Sequence, residues 1–202
     1  MQAADTLPPA AAGTRRARTP AIWIFIALDC SSFGLFFLVF MVERLGQAAA
    51  FDHSSQQLNA VLGFLNACIL ITSSWLVAWA NLVGRDGDIR RAQRLLVWAL
   101  AVGACFGVVK SCEYYEKLSH GVTVATHEFF TFYYALTGIH FIHYVVGMVL
   151  LGVLASGPQK YGPVAENRAH YLRWLDGGSL YWHMVDLLWV FIFSLLYLLG
   201  AR

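Results

Sequence analysis

Long apolar stretches alternate with short polar segments along this chain and predict five membrane-spanning helices. Runs with few or no charged residues cover about residues 21–42, 58–83, 94–113, 129–155 and 180–199. Each approaches or exceeds the ~20 apolar residues that an α-helix needs to cross a bilayer. Because lipid cannot satisfy backbone hydrogen bonds, helices of this kind pair their own backbone groups. The pattern therefore predicts an all-α bundle of five transmembrane helices.

Residues 1–20 differ from the remainder of the chain and predict a disordered basic tail. They contain two adjacent prolines, an alanine-rich patch and three arginines, a composition that buries little apolar surface. The apolar run that follows, residues 21–42, is longer than the ~7–15-residue core of a cleaved signal peptide. We therefore assign that run to the first membrane helix and expect the membrane domain to occupy residues 21–202.

Lysine and arginine are unevenly distributed among the segments between the predicted spans. If the N-terminus lies inside, ten of the 14 basic residues fall on inside segments and four on outside segments. Lys110 is counted among the outside four, because we expect its side chain to extend to the membrane interface. Cytoplasmic segments carry the excess of basic residues in membrane proteins. This distribution predicts an inside N-terminus and an outside C-terminus.

The composition adds two exclusions. The chain is 58% hydrophobic and 13% charged, and its net charge is +2. The arginines cluster at the ends of apolar runs, where membrane orientation explains them, so we expect membrane lipids and no nucleic acid as partners. The four cysteines mostly lie inside apolar runs and include no C-x-x-C pair. They predict neither a disulfide framework nor a thiolate metal site.

Four ionisable residues inside the last two apolar runs are the strongest candidates for a functional site. His140 and His143 are three residues apart, as are His183 and Asp186, so each pair shares a helix face. Such groups are costly in a bilayer and should face the protein interior or a polar cavity. We predict a buried polar network formed by these four residues. Glycines 138 and 147 should allow another helix or a lipid to approach this region closely.

Two acidic residues, Asp29 and Glu113, complete the candidate set and are further possible partners for the face that carries His140 and His143. Asp29 lies about eight residues into the first run, or ~12 Å deep at 1.5 Å per residue. An acid at that depth is either functional or a neutral, hydrogen-bonded group that pins two helices together, and the sequence leaves both explanations open. Glu113 lies at or just inside the end of the third run. It is therefore the less unusual of the two.

Haem binding is one alternative role for the histidines. His127 and His140 are thirteen residues apart, and so are His170 and His183, which suggests histidine pairs on two helices. However, charged residues and the pair Gly177-Gly178 separate the second two histidines, so we do not expect one buried helix to carry both. A haem site is disfavoured for that reason.

A metal site is the other alternative. His140, His143 and His183 would supply three ligands if the fourth and fifth helices touch, with Asp186 orienting one of them. A satisfied polar network that fixes helix packing is the preferred interpretation. We therefore expect no catalytic centre and no metal or organic cofactor in this chain.

Three motifs in the second half of the chain resemble subunit III of the haem-copper oxidases. They are Glu113-Tyr-Tyr-Glu116, Leu136-Thr-Gly-Ile-His-Phe-Ile-His-Tyr-Val-Val-Gly147 and Tyr181-Trp-His-Met-Val-Asp-Leu-Leu-Trp189. They occur in the order found in that family, and the resemblance covers about residues 21–200. Asp29 stands where the family usually has a membrane-embedded glutamate. This shorter acid reaches less far, so the resemblance does not transfer a proton-related role to it.

The resemblance implies a non-catalytic accessory subunit. Members of this family carry no metal or haem, pack against catalytic subunit I, hold phospholipid in a cleft and support proton uptake and lasting turnover. The five-helix form is similar to bacterial members that lack the first two helices of the seven-helix type, which implies a multi-pass protein of the bacterial inner membrane. The runs 133–140 and 184–189 resemble the branch associated with nitric oxide reductase. An autonomous membrane redox protein with a histidine-bound haem or metal is the alternative function.

Overall fold

Six α-helices and one π-helical turn make up the described part of the protein. The computed structural model describes residues 20–157 and 165–199, so all but the last residue of the predicted tail 1–20 lies outside it. The elements are α1 (Pro20–Gly46), α2 (Ala48–Ser55), α3 (Ala60–Asp86), α4 (Ile89–Ser119), α5 (Glu128–Ser156), α6 (Ala165–Phe193) and the π-helical turn (Ser194–Leu198). All but α2 and the turn are long and apolar enough to cross a membrane. The predicted all-α bundle with five membrane helices is confirmed.

Local capping explains where the central helices begin and end. The Asn59 side chain accepts hydrogen bonds from two backbone N–H groups at the start of α3, as an N-cap residue does. Asp88 caps α4 in the same way by accepting from the Arg91 N–H at 2.9 Å. Between these helices Gly87 has φ of +106°, a conformation that glycine adopts without strain. These residues produce the tight turn that places α3 and α4 side by side.

The structure differs from the prediction in one connecting segment and at the start of the last helix. The polar segment between the first two spans contains a short helix, α2, and the last helix begins at Ala165 instead of near residue 180. Gly177 and Gly178 therefore lie within α6, although a glycine costs about 1 kcal/mol in a helix interior. Close packing offsets that cost, because a Cβ atom at Gly178 would lie 2.5 Å from Cδ1 of Leu154 in α5.

Helices α3, α4, α5 and α6 form the core, and α1 lies at its edge. Of the residues in the most apolar window of each helix, 56% are buried in α6 and 11% in α1. The contacts of α1 follow one face: the Phe25 ring packs against Tyr181, and Phe33 packs against His143. Most of the remaining surface of α1 is apolar and exposed, which suits lipid or another membrane helix.

The two glycines of α5 have different surroundings. At Gly147 an added Cβ atom would lie 2.7 Å from Cε3 of Trp182 and 3.3 Å from Cε1 of Tyr181, so this glycine permits the predicted close approach of another helix. At Gly138 no atom of the described residues lies within 4 Å of the added Cβ. No other helix among the described residues makes the predicted close approach there, and the approach of a lipid stays a prediction.

The orientation of the bundle remains a prediction, and the structure sharpens its basis. Lys110 is completely buried, so three basic residues instead of four remain on the segments predicted to be outside, against ten inside. We expect a reporter fused after Arg202 to lie outside the cytoplasm and one inserted in the α3–α4 turn to lie inside. Alkaline phosphatase and green fluorescent protein fusions at both positions measure this, and a cytoplasmic C-terminus would contradict the assignment.

Candidate functional site

A closed cluster of charged and phenolic groups lies inside the bundle near the end of α4. Lys110 Nζ lies 3.1 Å from Oε2 of Glu113, and the two side chains are 0% and 2% exposed. The ammonium also donates to the hydroxyl oxygens of Tyr133 at 3.1 Å and Tyr197 at 3.0 Å. Both hydroxyl groups in turn donate to Glu113 Oε1, at 2.9 and 2.6 Å. The cluster thereby joins α4, α5 and the π-helical turn.

Aromatic rings complete the surroundings of the Lys110 ammonium. It lies between 4.7 and 5.7 Å from the ring centroids of Tyr114, Tyr133, Trp189 and Tyr197. Ring faces attract a desolvated cation strongly, and together with the three hydrogen bonds they replace water around it. The predicted extension of Lys110 to the interface is therefore wrong.

Glu113 is also more deeply enclosed than expected. The sequence suggested a residue at the membrane boundary, but the side chain is buried and paired. One signal in the sequence pointed to the pair: a lysine and a glutamate three residues apart in an apolar helix share a face. Neither residue indicates the pair when it is taken alone, and only the spacing of the two does so.

Asp29 and His143 form a second site, between α1 and α5. Asp29 Oδ1 lies 3.0 Å from His143 Nε2, and the side chains are 14% and 20% exposed. His143 Nδ1 lies 2.9 Å from the carbonyl oxygen of Ile139, which only accepts hydrogen bonds, so Nδ1 carries a proton. The contact between Nε2 and Oδ1 pins α1 to the core.

His183 and Asp186 lie at a third site, where α6 meets α3. His183 Nδ1 is hydrogen-bonded to the hydroxyl group of Ser74, and His183 Nε2 lies 3.2 Å from the hydroxyl oxygen of Ser179. Asp186 lies beside Ser74 as well. Its Oδ1 is buried and has no hydrogen-bond partner among the described residues.

His140 is isolated from the other three members of the predicted network. Its side chain is completely buried, and neither ring nitrogen has a hydrogen-bond partner in the described part of the chain. The ring packs edge-on to Phe106 and lies 5.3 Å from the ring centroid of Trp189. Two side chains that are three residues apart on an α-helix point in directions that differ by about 60° around the helix axis. That difference directs His140 toward α4 and α6 and His143 toward α1. The four residues therefore occupy three separate environments, of which only that of His183 and Asp186 is shared.

The histidines show no grouping suited to a metal among the residues that the structure describes. No group of three or more His, Cys, Asp or Glu side chains there could hold an ion. His127 caps α5 instead, with Nδ1 accepting from the Phe129 N–H at 3.2 Å. His170 and His183 do share one helix, contrary to our expectation, because α6 continues through the glycine pair.

Two openings adjoin these sites. A groove of about 590 Å³ between α1, α5 and α6 has mostly apolar walls and has Arg173, His170 and Trp174 among its lining residues. A cleft of about 440 Å³ lies between the start of α3 and the end of α4. It is lined by residues 57–62 together with Glu113, Glu116 and Lys117.

Comparison with known proteins places this arrangement in a family. The family model described as cytochrome c oxidase subunit III matches residues 23–201. Similar proteins include cytochrome c oxidase subunit 3 of Thermostichus vulcanus, which is 26% identical over 90% of this chain and 87% of that protein. Cytochrome bo(3) ubiquinol oxidase subunit 3 of Pseudomonas putida is also 26% identical, over 89% of this chain and 84% of that protein. Cytochrome c oxidase subunit 3 of a Synechocystis strain is 29% identical over 87% of this chain and 73% of that protein.

Proposed function

This chain belongs to the cytochrome c oxidase subunit III family, and from that membership we propose that it is a non-catalytic accessory subunit of a bacterial respiratory complex. The observation that carries the proposal is the family match over nearly the whole membrane domain. The chain spans the bacterial inner membrane several times and packs against the catalytic subunit I of a haem-copper oxidase. Its buried polar groups fit this role, because most of them join one helix to another.

The autonomous redox alternative gains no support from the molecule. Two relatives reported above are subunits of cytochrome c oxidases and one is a subunit of a ubiquinol oxidase. The three candidate histidine ligands lie in separate environments. The nitric oxide reductase branch rests on the wording of two motifs and stays a prediction, as an alternative catalytic partner.

Co-purification tests the accessory role. We expect the tagged chain, expressed with its neighbouring genes and extracted in mild detergent, to retain a haem-containing catalytic subunit. The chain expressed alone should fold without a Soret absorption band and without stoichiometric iron, copper or zinc. A Soret band in the isolated chain that disappears in His140→Ala, but persists in His170→Ala, would contradict the proposal.

We also propose that the groove between α1, α5 and α6 binds a phospholipid. Its apolar walls suit acyl chains, and Arg173 and His170 supply groups that attract a phosphate. Trp174 is the kind of residue that lies at headgroup level in membrane proteins. A lipid held there would fill the space between the loosely packed α1 and the core.

Lipid analysis tests the groove. Arg173→Gln should reduce the anionic phospholipid retained after detergent washing by about fivefold, since a basic residue near the membrane surface contributes about 1 kcal/mol. Arg91→Gln is the matched control, because the Arg91 guanidinium stacks on Trp79 at 5.6 Å, away from the groove. Quantitative mass spectrometry of bound lipid is the measurement. Equal losses in the two variants would show that general surface charge, not the groove, retains the lipid.

A further inference from the structure

Two tyrosines of the buried cluster around Lys110 differ from most other tyrosines in what their hydroxyl groups bind. Tyr133 and Tyr197 both donate to Oε1 of Glu113, at 2.9 and 2.6 Å. A carboxylate at hydrogen-bond distance can take up a proton, whereas a peptide carbonyl is far too weak a base. Four other tyrosines in the described part of the chain donate to backbone carbonyl oxygens, and these are Tyr134, Tyr144, Tyr171 and Tyr181. Tyr133 and Tyr197 therefore each have an acceptor at hand for the proton that a phenol loses when it is oxidised.

Packed rings connect this cluster with the surface of the bundle. The ring centroids of Tyr133 and Tyr134 are 5.1 Å apart. The Tyr114 ring lies 6.2 Å from that of Tyr133 and 5.6 Å from that of Tyr134. Tyr133 is completely buried, whereas Tyr114 and Tyr134 are half-buried. Electrons tunnel readily between aromatic rings in close contact, so an oxidant that meets the two outer rings can draw an electron from the buried phenol.

We propose that Tyr133 and Tyr197 form a redox-active site that takes up oxidising equivalents from organic peroxyl radicals in the surrounding lipid. The half-buried rings meet the radical, and the buried phenols hold the oxidising equivalent because each has a carboxylate for its proton. The chemistry belongs to tyrosine and glutamate side chains, so it needs neither haem nor metal. This activity is separate from the accessory role and does not depend on which catalytic subunit the chain joins.

The step is a one-electron oxidation coupled to a short proton shift. The peroxyl radical takes one electron from the Tyr133 phenol through the outer rings and one proton from a hydronium ion, and it becomes a hydroperoxide. The phenolic proton moves to Oε1 of Glu113, so one O–H bond breaks and another forms. A neutral phenoxyl radical and a neutral acid remain. A membrane hydroquinone then supplies one electron, releases a proton to water and becomes a semiquinone, while the proton on Glu113 returns to the tyrosine.

Lys110 sets how strong an oxidant the site accepts. Loss of an electron gives the cluster a net positive charge, because the ammonium remains after Glu113 becomes neutral. The Lys110 ammonium lies 3.1 and 3.0 Å from the two tyrosine hydroxyl oxygens, and like charge at that distance opposes the oxidation. Weak oxidants therefore leave the site unchanged, and strongly oxidising radicals react with it.

Electron paramagnetic resonance of the full-length chain in lipid nanodiscs tests the site. Peroxyl radicals released from a lipid-soluble azo initiator should produce a tyrosyl signal in freeze-quenched wild type. The signal should be lost in the double variant Tyr133→Phe with Tyr197→Phe. It should be retained in the control Tyr171→Phe, because the Tyr171 hydroxyl group donates to the backbone oxygen of Leu154. A folded wild type without a tyrosyl signal, or a signal that persists in the folded double variant, would overturn the proposal.

The position of the radical can be tested without any variant. Microwave power saturation of the wild-type signal should be almost unchanged by a water-soluble nickel chelate, because Tyr133 and Tyr197 are 0% and 2% exposed. A radical on Tyr115, which is 77% exposed, would be relaxed strongly by the chelate. The same chain unfolded in denaturing detergent is the reference for full access. A signal of the folded chain that is relaxed as strongly as this reference would place the radical at the surface and contradict the assignment.

Discussion

Lys110→Met is expected to destabilise the folded chain by about 3–5 kcal/mol, because it leaves a buried carboxylate without its positive partner. Glu113 would keep two tyrosine hydroxyl donors, which do not replace a charge. The free energy of unfolding can be measured by titrating the chain with a denaturing detergent in mixed micelles. Lys117→Met is the matched control in the same helix. Lys117 donates to the backbone oxygen of Gln57 near the surface, so its loss should cost about 0.5 kcal/mol or less.

A double variant identifies the cause of that loss. If the unpaired charge is responsible, Lys110→Met combined with Glu113→Gln should be more stable than Lys110→Met alone, because neutralising both members leaves no isolated charge. Equal effects of Lys110→Met and Lys117→Met would show that the buried pair contributes no more than a surface contact. A double variant as unstable as the sum of the singles would contradict the electrostatic explanation.

Gly147→Ala is expected to lower the stability of the bundle by about 1–3 kcal/mol through overpacking. The new methyl group would lie 2.7 and 2.9 Å from two ring carbons of Trp182. That indole is completely buried, so it cannot move aside without displacing its own neighbours. The shift in the thermal unfolding midpoint, followed by circular dichroism in detergent, measures the effect.

Gly138→Ala is the control for this prediction. It makes the same chemical change nine residues earlier in the same helix, where the added Cβ meets no atom of the described residues within 4 Å. The Gly138→Ala substitution should leave the stability of the bundle unchanged or raise it by up to ~1 kcal/mol, since alanine is the better helix former. If both variants lose the same stability, the cost belongs to glycine replacement in general and not to contact with Trp182.

The membrane spans were predictable because apolar length alone determines them, and the end of the chain shows where that rule fails. The apolar run from residue 180 is long enough for a span, so the sequence predicts a loop for the charged and glycine-containing stretch before it. In the structure α6 includes that stretch. Tertiary contacts decide this: Asp176 binds Arg85 of α3 at 2.6 Å, and Gly178 allows Leu154 of α5 to approach.

The candidate residues were predictable as a set, but their partners were predictable only in part: Asp29 does contact His143, whereas the other expected contacts with the His140 and His143 face are not formed among the described residues. Rarity of ionisable groups in lipid selects Asp29, His140 and His183 without any structure. Which helix each one faces depends on the rotation of every helix about its axis. The sequence favoured a single network around His140 and His143, whereas the 60° between them is enough to direct them to different neighbours. The position of Lys110 was not predictable because three of the four aromatic rings around it come from α5, α6 and the π-helical turn, and nothing local in α4 indicates those three.

The length of α6 has a consequence at the membrane surface. Its 29 residues and the five of the π-helical turn measure about 50 Å at ~1.5 Å per residue, whereas the hydrocarbon layer is about 30 Å thick. Tyr197 fixes one end within the bundle through the Lys110 cluster, so the excess length of an upright α6 would lie toward the other end, near Ala165. A helix of this length that crosses the membrane upright extends into the adjoining aqueous phase, whereas a tilted one keeps more of its length within the bilayer. A neighbouring subunit would then have to leave room beyond the lipid headgroups for the first turns of α6.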